Sequence, residues 1–117
     1  MRSERVKGHL DLVLLGVLAE RPGHGYAVIS ALRERSDGVI DLQEGSVYPA
    51  LHRLEDQGLL ASDWEPVGGR RRRTYHLTAE GTEALAGELG EWERLADAID
   101  SIVRPTRVAR ALAGGVA

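Results

Sequence analysis

The chain has no cysteine and no phenylalanine, and it holds a single lysine against fourteen arginines. Without cysteine, neither a disulfide framework nor a thiolate metal site is open to it, and nothing demands an oxidising compartment. The near-absence of lysine points to a GC-rich coding bias and not to a chemical requirement. Long apolar runs are missing too. The longest, Leu12 to Ala19, has eight residues and cannot span a bilayer. The opening MRSERVKGHLD carries charge but no apolar region ending in a small-residue cleavage site, so no secretory leader and no membrane partner are expected, and the expected location is cytoplasmic. His9, His24, His52 and His76 are scattered without an HxxxH or HExxH pairing, and neither a P-loop nor a GxSxG motif occurs. Catalysis, a cofactor and a metal centre are therefore not expected.

An excess of one charge is also lacking. Eighteen acidic side chains face fifteen basic ones, a formal net charge of -3, so no bulk attraction to nucleic acid follows. The distribution is more telling. Arg70, Arg71, Arg72 and Arg73 form one run, whereas Glu80 to Asp100 carries seven carboxylates against Arg94 alone. At 117 residues the chain has room for one domain with a modest core, a size at which burial is often completed by pairing.

Periodicity then supplies the elements. Leu10 to Leu18 is apolar on nearly every side and stops at Arg21-Pro22-Gly23, which predicts a helix of about three turns covered by its own domain and a partner. Tyr26, Ile29 and Leu32 predict a second helix over 26–36, ended by Asp37-Gly38. VIDLQ is a linker with room for a small strand. Val47, Ala50, Leu51 and Leu54 fall at i, i+3, i+4 and i+7 and predict a third helix over 47–57, with Ser46 as N-cap, Pro49 in the first turn and Gly58 as the left-handed stop. LLASDWEP and RRTYHLT read as two strands around a Val67-Gly68-Gly69 tip, so the arginine run begins at a hairpin turn. Leu85, Leu89, Trp92, Ala96, Ile99 and Val103 are spaced 4, 3, 4, 3 and 4, a heptad seam broadened by Leu95 and Ile102 on one helix over 79–103.

That order, mainly α with one β-hairpin (α+β), is the order of a winged helix-turn-helix with a long C-terminal dimerisation helix. The expected division is 1–77 for a DNA-binding domain, 78–104 for the dimerisation helix and 105–117 for a flexible tail. In such a fold the third helix enters the major groove and the wing follows the backbone or a minor groove. Its outward face would carry Ser46, Pro49, His52 and Arg53, with Tyr48 at the boundary. Arg70 to Arg73 suit a wing because guanidinium bridges phosphate oxygens. If about three of them neutralise phosphates in each subunit, the log–log salt slope is roughly -5 for a dimer. The plainer alternatives are a solvated helix face and a charged hairpin that blunts an edge strand. A winged helix that binds protein or RNA, or a metal-responsive repressor, are the other readings.

LVLLGVLAERPGHGYAVISALRE, EGSVYPALHRLEDQGLL and GGRRRRTYHLTAEG together resemble the PadR-like transcriptional regulators, specifically the short class with one C-terminal helix, over about residues 10 to 83. The resemblance implies a homodimeric, ligand-responsive repressor on a pseudopalindromic operator in double-stranded DNA. It implies DNA contacts from Tyr48 and its neighbours and from Arg70 to Arg73. It extends to EWERLADAI, where Trp92 matches a tryptophan that flanks a hydrophobic pore at the dimer centre in multidrug-binding members. A planar hydrophobic inducer would stack there, with Ala96 and Leu14 as the other wall residues. The alternative is that Trp92 fills the dimer seam and leaves no cavity.

Overall fold

In the computed structural model, which describes residues 6–104, a 3-10 turn (Lys7–His9) leads into helix α1 (Leu10–Glu20). Helix α2 (Gly25–Arg35) and helix α3 (Glu44–Asp56) follow. Strands β1 (Leu60–Val67) and β2 (Arg70–Leu77) form an antiparallel hairpin, and α4 (Ala79–Val103) closes the chain. The expected tail over 105–117 lies outside the described residues.

The core is one cluster. Leu14, Leu15 and Leu18 of α1 meet Val28, Ile29 and Leu32 of α2 and Val47, Leu51 and Leu54 of α3, with Leu60 and Tyr75 of the hairpin closing one side. Each fully buried leucine contributes roughly 2 kcal/mol of gross transfer free energy. The VIDLQ linker forms no strand; its Leu42 is instead an inward plug, 2% exposed.

Helix α3 begins at Glu44, three residues before the predicted start, and its N-cap is Gln43, with no side-chain cap bond. Ser46 is therefore not the cap. It lies inside the first turn, its N–H donating to the Gln43 carbonyl at 3.0 Å. Pro49 accordingly falls in the second turn, where it deletes the bond that Gly45 C=O would have accepted. The exit is as expected. Gly58 takes φ +79°, and Leu59 N–H donates to Leu54 C=O at 3.0 Å, the left-handed stop that turns the chain into β1.

The hairpin turns on Gly68 and Gly69, both at positive φ, the two-residue geometry whose twist matches the strands. This turn fixes the register: Trp64 opposite Arg73, Glu65 opposite Arg72, Pro66 opposite Arg71 and Val67 opposite Arg70. On the other edge of β2, Gly23 and Tyr75 exchange both backbone hydrogen bonds at 3.0 and 2.8 Å, so the α1–α2 loop is tied to the wing.

Helix α4 occupies the predicted span. Thr78 caps it, its Oγ1 accepting from Gly81 N–H at 3.0 Å while donating to Gly58 C=O at 2.6 Å. Its first turns carry Ala84 and Leu85 against the core. Beyond them the seam is only partly covered among the described residues: Leu89, Trp92, Leu95 and Ile99 are each 41–47% exposed and Val103 65%.

Candidate nucleic-acid interface

The outward face of α3 and the hairpin meet in an open cleft of about 580 Å³. Tyr48 and His52 of α3 line one wall, Trp64, Arg71, Arg72 and Arg73 the other, and His24 and Tyr26 the end. Tyr48 is placed by contact with α2. A Cβ on Gly25 would sit 2.2 Å from Tyr48 Cε1, so the ring lies directly on the glycine backbone. Pro49 and His52 are exposed beside it, and Ser46 is half-buried.

The four arginines divide by strand pleat. Arg71 and Arg73 share a face with Trp64, and Arg70 and Arg72 take the other. Arg71 lies over the Trp64 ring, 5.1 Å from its centroid, a contact worth about 0.5–1 kcal/mol at an exposed site that orders a long side chain without neutralising it. Arg72 reaches His24 Nε2 at 3.1 Å because the Gly23–Tyr75 pairing brings the α2 N-terminus alongside β2. Arg70 is exposed at the tip, outside the cleft lining.

Arg73 and Arg53 are placed differently from the expectation. Arg73 is engaged within the protein: Nη2 donates to Glu55 Oε1 at 2.5 Å and Nε to Ser62 Oγ at 2.8 Å, with its Cζ over the rings of Trp64 and Tyr75. It fastens the wing to α3. Arg53 turns to α1, where both its terminal nitrogens donate to Asp11, and that hydrogen bond pushes the guanidinium above its ordinary value. It does not line the cleft. Within the chain a carboxylate partners each of these two guanidinium groups, Asp11 for Arg53 and Glu55 for Arg73.

Periodicity gives His24 and Trp64 no site role and groups Tyr26 with Ile29 and Leu32, whereas Tyr26 is 61% exposed at the end of the cleft. Trp64 had a signal, since a two-residue glycine turn puts it opposite Arg73. His24 had little, because histidine is not a usual N-cap. Here its Nδ1 accepts from Ala27 N–H at 3.1 Å. Burial, and secondarily Arg72, holds the imidazole below its ordinary pKa.

A smaller hollow of about 280 Å³ lies beside Trp92, lined by Gly8, His9, Leu12, Glu88, Glu91 and Leu95. The His9 and Trp92 rings meet edge to face at 5.0 Å. Leu14 has no part in it. That side chain is wholly buried in the core, and Leu12, two residues earlier and so on the opposite side of α1, is the wall residue. Ala96 is half-buried and not part of the lining. Among the described residues no three His, Cys, Asp or Glu side chains are grouped to hold a metal ion, and no helix is long and apolar enough to cross a membrane.

A helix-turn-helix with its third helix exposed beside an arginine-bearing hairpin, followed by one long helix, defines the class of winged-helix DNA-binding regulators. The profile of the transcriptional regulator PadR-like family matches residues 14–87, and the chain belongs to that family. It is similar in structure to a transcriptional regulator from Clostridium thermocellum, with a TM-score of 0.81 at 28% identity over 87% of this chain and 100% of that one. A PadR family regulator from Eggerthella lenta gives 0.77 at 33% identity over 86% and 87%. In sequence, a transcriptional regulator of Mycobacterium tuberculosis, Rv3488, is 48% identical over 52 residues, which are 44% of this chain and 49% of that protein. The chain is thus a transcriptional regulator of a DNA-binding family.

Proposed function

We propose that the chain acts as a homodimeric repressor. Its α4 seams clasp two subunits, and each subunit offers α3 to a major groove and the wing to the adjacent backbone of a pseudopalindromic operator. In this reading 1–77 is the DNA-binding unit and 78–104 the dimerisation helix. The observation that carries it is the cleft where Tyr48 and His52 face Arg71 and Arg72. Tyr48, Pro49, His52 and Ser46 are the candidates for groove contacts. Arg70, Arg71 and Arg72 are the candidates for phosphate contacts, while Arg53 and Arg73 hold α3 and the wing in place.

Three phosphate-binding arginines per subunit keep the expected salt slope at roughly -5 for the dimer. Arg71→Ala with Arg72→Ala removes four cations per dimer, so the slope should flatten by roughly 3 to 4 and affinity near 0.1 M salt should fall by about a hundredfold for every duplex sequence. A gel-shift titration across salt, on DNA from just upstream of the coding region, measures both. An unchanged slope would refute the wing assignment.

The hollow at Trp92 supports a ligand-responsive arm. A planar apolar molecule stacked on that ring would release DNA only if it favoured a separation of the two halves that no longer fits the groove. In a Trp64→Phe background, quenching of Trp92 by planar aromatic compounds should be accompanied by weaker operator binding. Quenching that leaves operator affinity untouched would remove this arm.

A further inference from the structure

His24 and Arg72 present two hydrogen-bond donors to each other. A backbone N–H can only donate, so the Ala27 N–H at 3.1 Å requires a lone pair on His24 Nδ1. The neutral ring then keeps its proton on Nε2. Nε2 faces Arg72 Nη1 at 3.1 Å, and a guanidinium has no acceptor to offer. The nearby carboxylate of Glu65, opposite Arg72 in the hairpin, accepts from Thr74 Oγ1 at 3.1 Å. Both donors line the same open cleft as Tyr48 and His52.

We infer that His24 Nε2–H and Arg72 together clamp one backbone phosphate of the DNA, its non-bridging oxygens supplying the acceptors that the pair lacks. The inference rests on the DNA-binding reading and deepens it by assigning a neutral histidine, on the turn before α2, to the phosphate contact. Phosphate entry replaces a donor–donor contact by two charge-assisted hydrogen bonds, while the Nδ1 cap stays in use. His24 enters as a neutral donor, its charge disfavoured by burial and then by Arg72, which together outweigh the opposing pull of Glu65. It therefore adds affinity without neutralising a charge, and it is sequence-indifferent.

His24→Asn separates the roles. Asparagine is among the preferred N-caps, so its Oδ1 can still accept from Ala27 N–H, but it has no donor at the Nε2 position. The expected result, in the full chain, is a loss of duplex affinity of about tenfold for matched and unmatched sequences alike. The log–log salt slope should be unchanged, and so should the melting temperature. Arg72→Ala should weaken binding and flatten the slope as well. Adding His24→Asn to Arg72→Ala should cost much less than His24→Asn alone, because the two share one phosphate. In the free protein, ¹⁵N spectra of the imidazole should show Nε2 protonated and Nδ1 bare. An Nδ1-protonated ring, or wild-type affinity in His24→Asn while Arg72→Ala binds weakly, would overturn the clamp and leave the DNA-binding reading standing. No duplex binding by the unaltered chain in dilute salt would end both.

Discussion

Gly81→Ala is expected to destabilise the protein by about 3 kcal/mol and to lower its melting temperature by roughly 12 °C or more. A Cβ at this position would lie 2.0 Å from the Leu59 carbonyl oxygen. The obstacle is backbone and not the end of a flexible side chain, so relief requires α4 to move bodily away from the exit of α3. That contact is the join between the two halves of the molecule: Thr78 N–H donates to Leu59 C=O at 3.1 Å, and the Thr78 hydroxyl links Gly58 to the first turn of α4. Gly87→Ala is the control. It lies on the same helix with nothing within 4 Å of its added methyl, so it should stabilise by about 0.5–1 kcal/mol. Thermal melts of both variants, at one protomer concentration, check the pair. Equal and small effects would mean that the join is not tight. A tight join also matters for the proposed dimer, in which a change of spacing between two α4 helices would reach α3 and the wing through it.

Leu89→Glu combined with Ile99→Glu should leave a folded single chain whose operator affinity is lower by a factor of about a thousand. Both residues are 45–47% exposed on the seam and lie outside the buried cluster, so the subunit loses less of its own stability than a core substitution would cost. The proposed dimer loses much. Two carboxylates per chain would enter a clasp already flanked by Glu88, Glu91 and Glu93, and across a two-fold axis the number doubles. Two half-sites bound by separate chains forfeit the effective concentration that a linked pair enjoys, which accounts for factors of 10² to 10⁴. Sedimentation of the variant together with a gel shift reads both effects. Retention of operator affinity by a monomeric variant would mean that one cleft suffices.

Local chemistry explains which features were legible in the sequence. Helix α4 was read to its ends because Thr78 is a strong cap and the heptad seam is unbroken. The two glycines mark the hairpin, but a Val67-Gly68-Gly69 tip gives another register; Gly68 and Gly69 alone turn the chain, and Val67 pairs with Arg70. The start of α3 was misplaced because Ser46 resembles a cap and Gly45 discourages a helix, while the true cap, Gln43, makes no side-chain bond. The wholly buried place of Leu14 is not legible, since α1 is apolar on nearly every side and such a helix gives no sign of which face looks inward. The engagement of Arg53 by Asp11 and of Arg73 by Glu55 joins residues 42 and 18 positions apart, a distance at which charge pattern alone cannot pair them. The tautomer of His24 is a consequence of three-dimensional contacts and left no trace in the pattern.

Two chains on one duplex is the claim on which the rest stands. Sedimentation equilibrium of the full chain, free and then mixed with a duplex of about 20 base pairs carrying two half-sites one helical turn apart, tests it most directly. A free species of twice the chain mass, and a complex of two chains per duplex in dilute salt, is the expected result. A free single chain at micromolar concentration, or a complex of one chain per duplex, would contradict it.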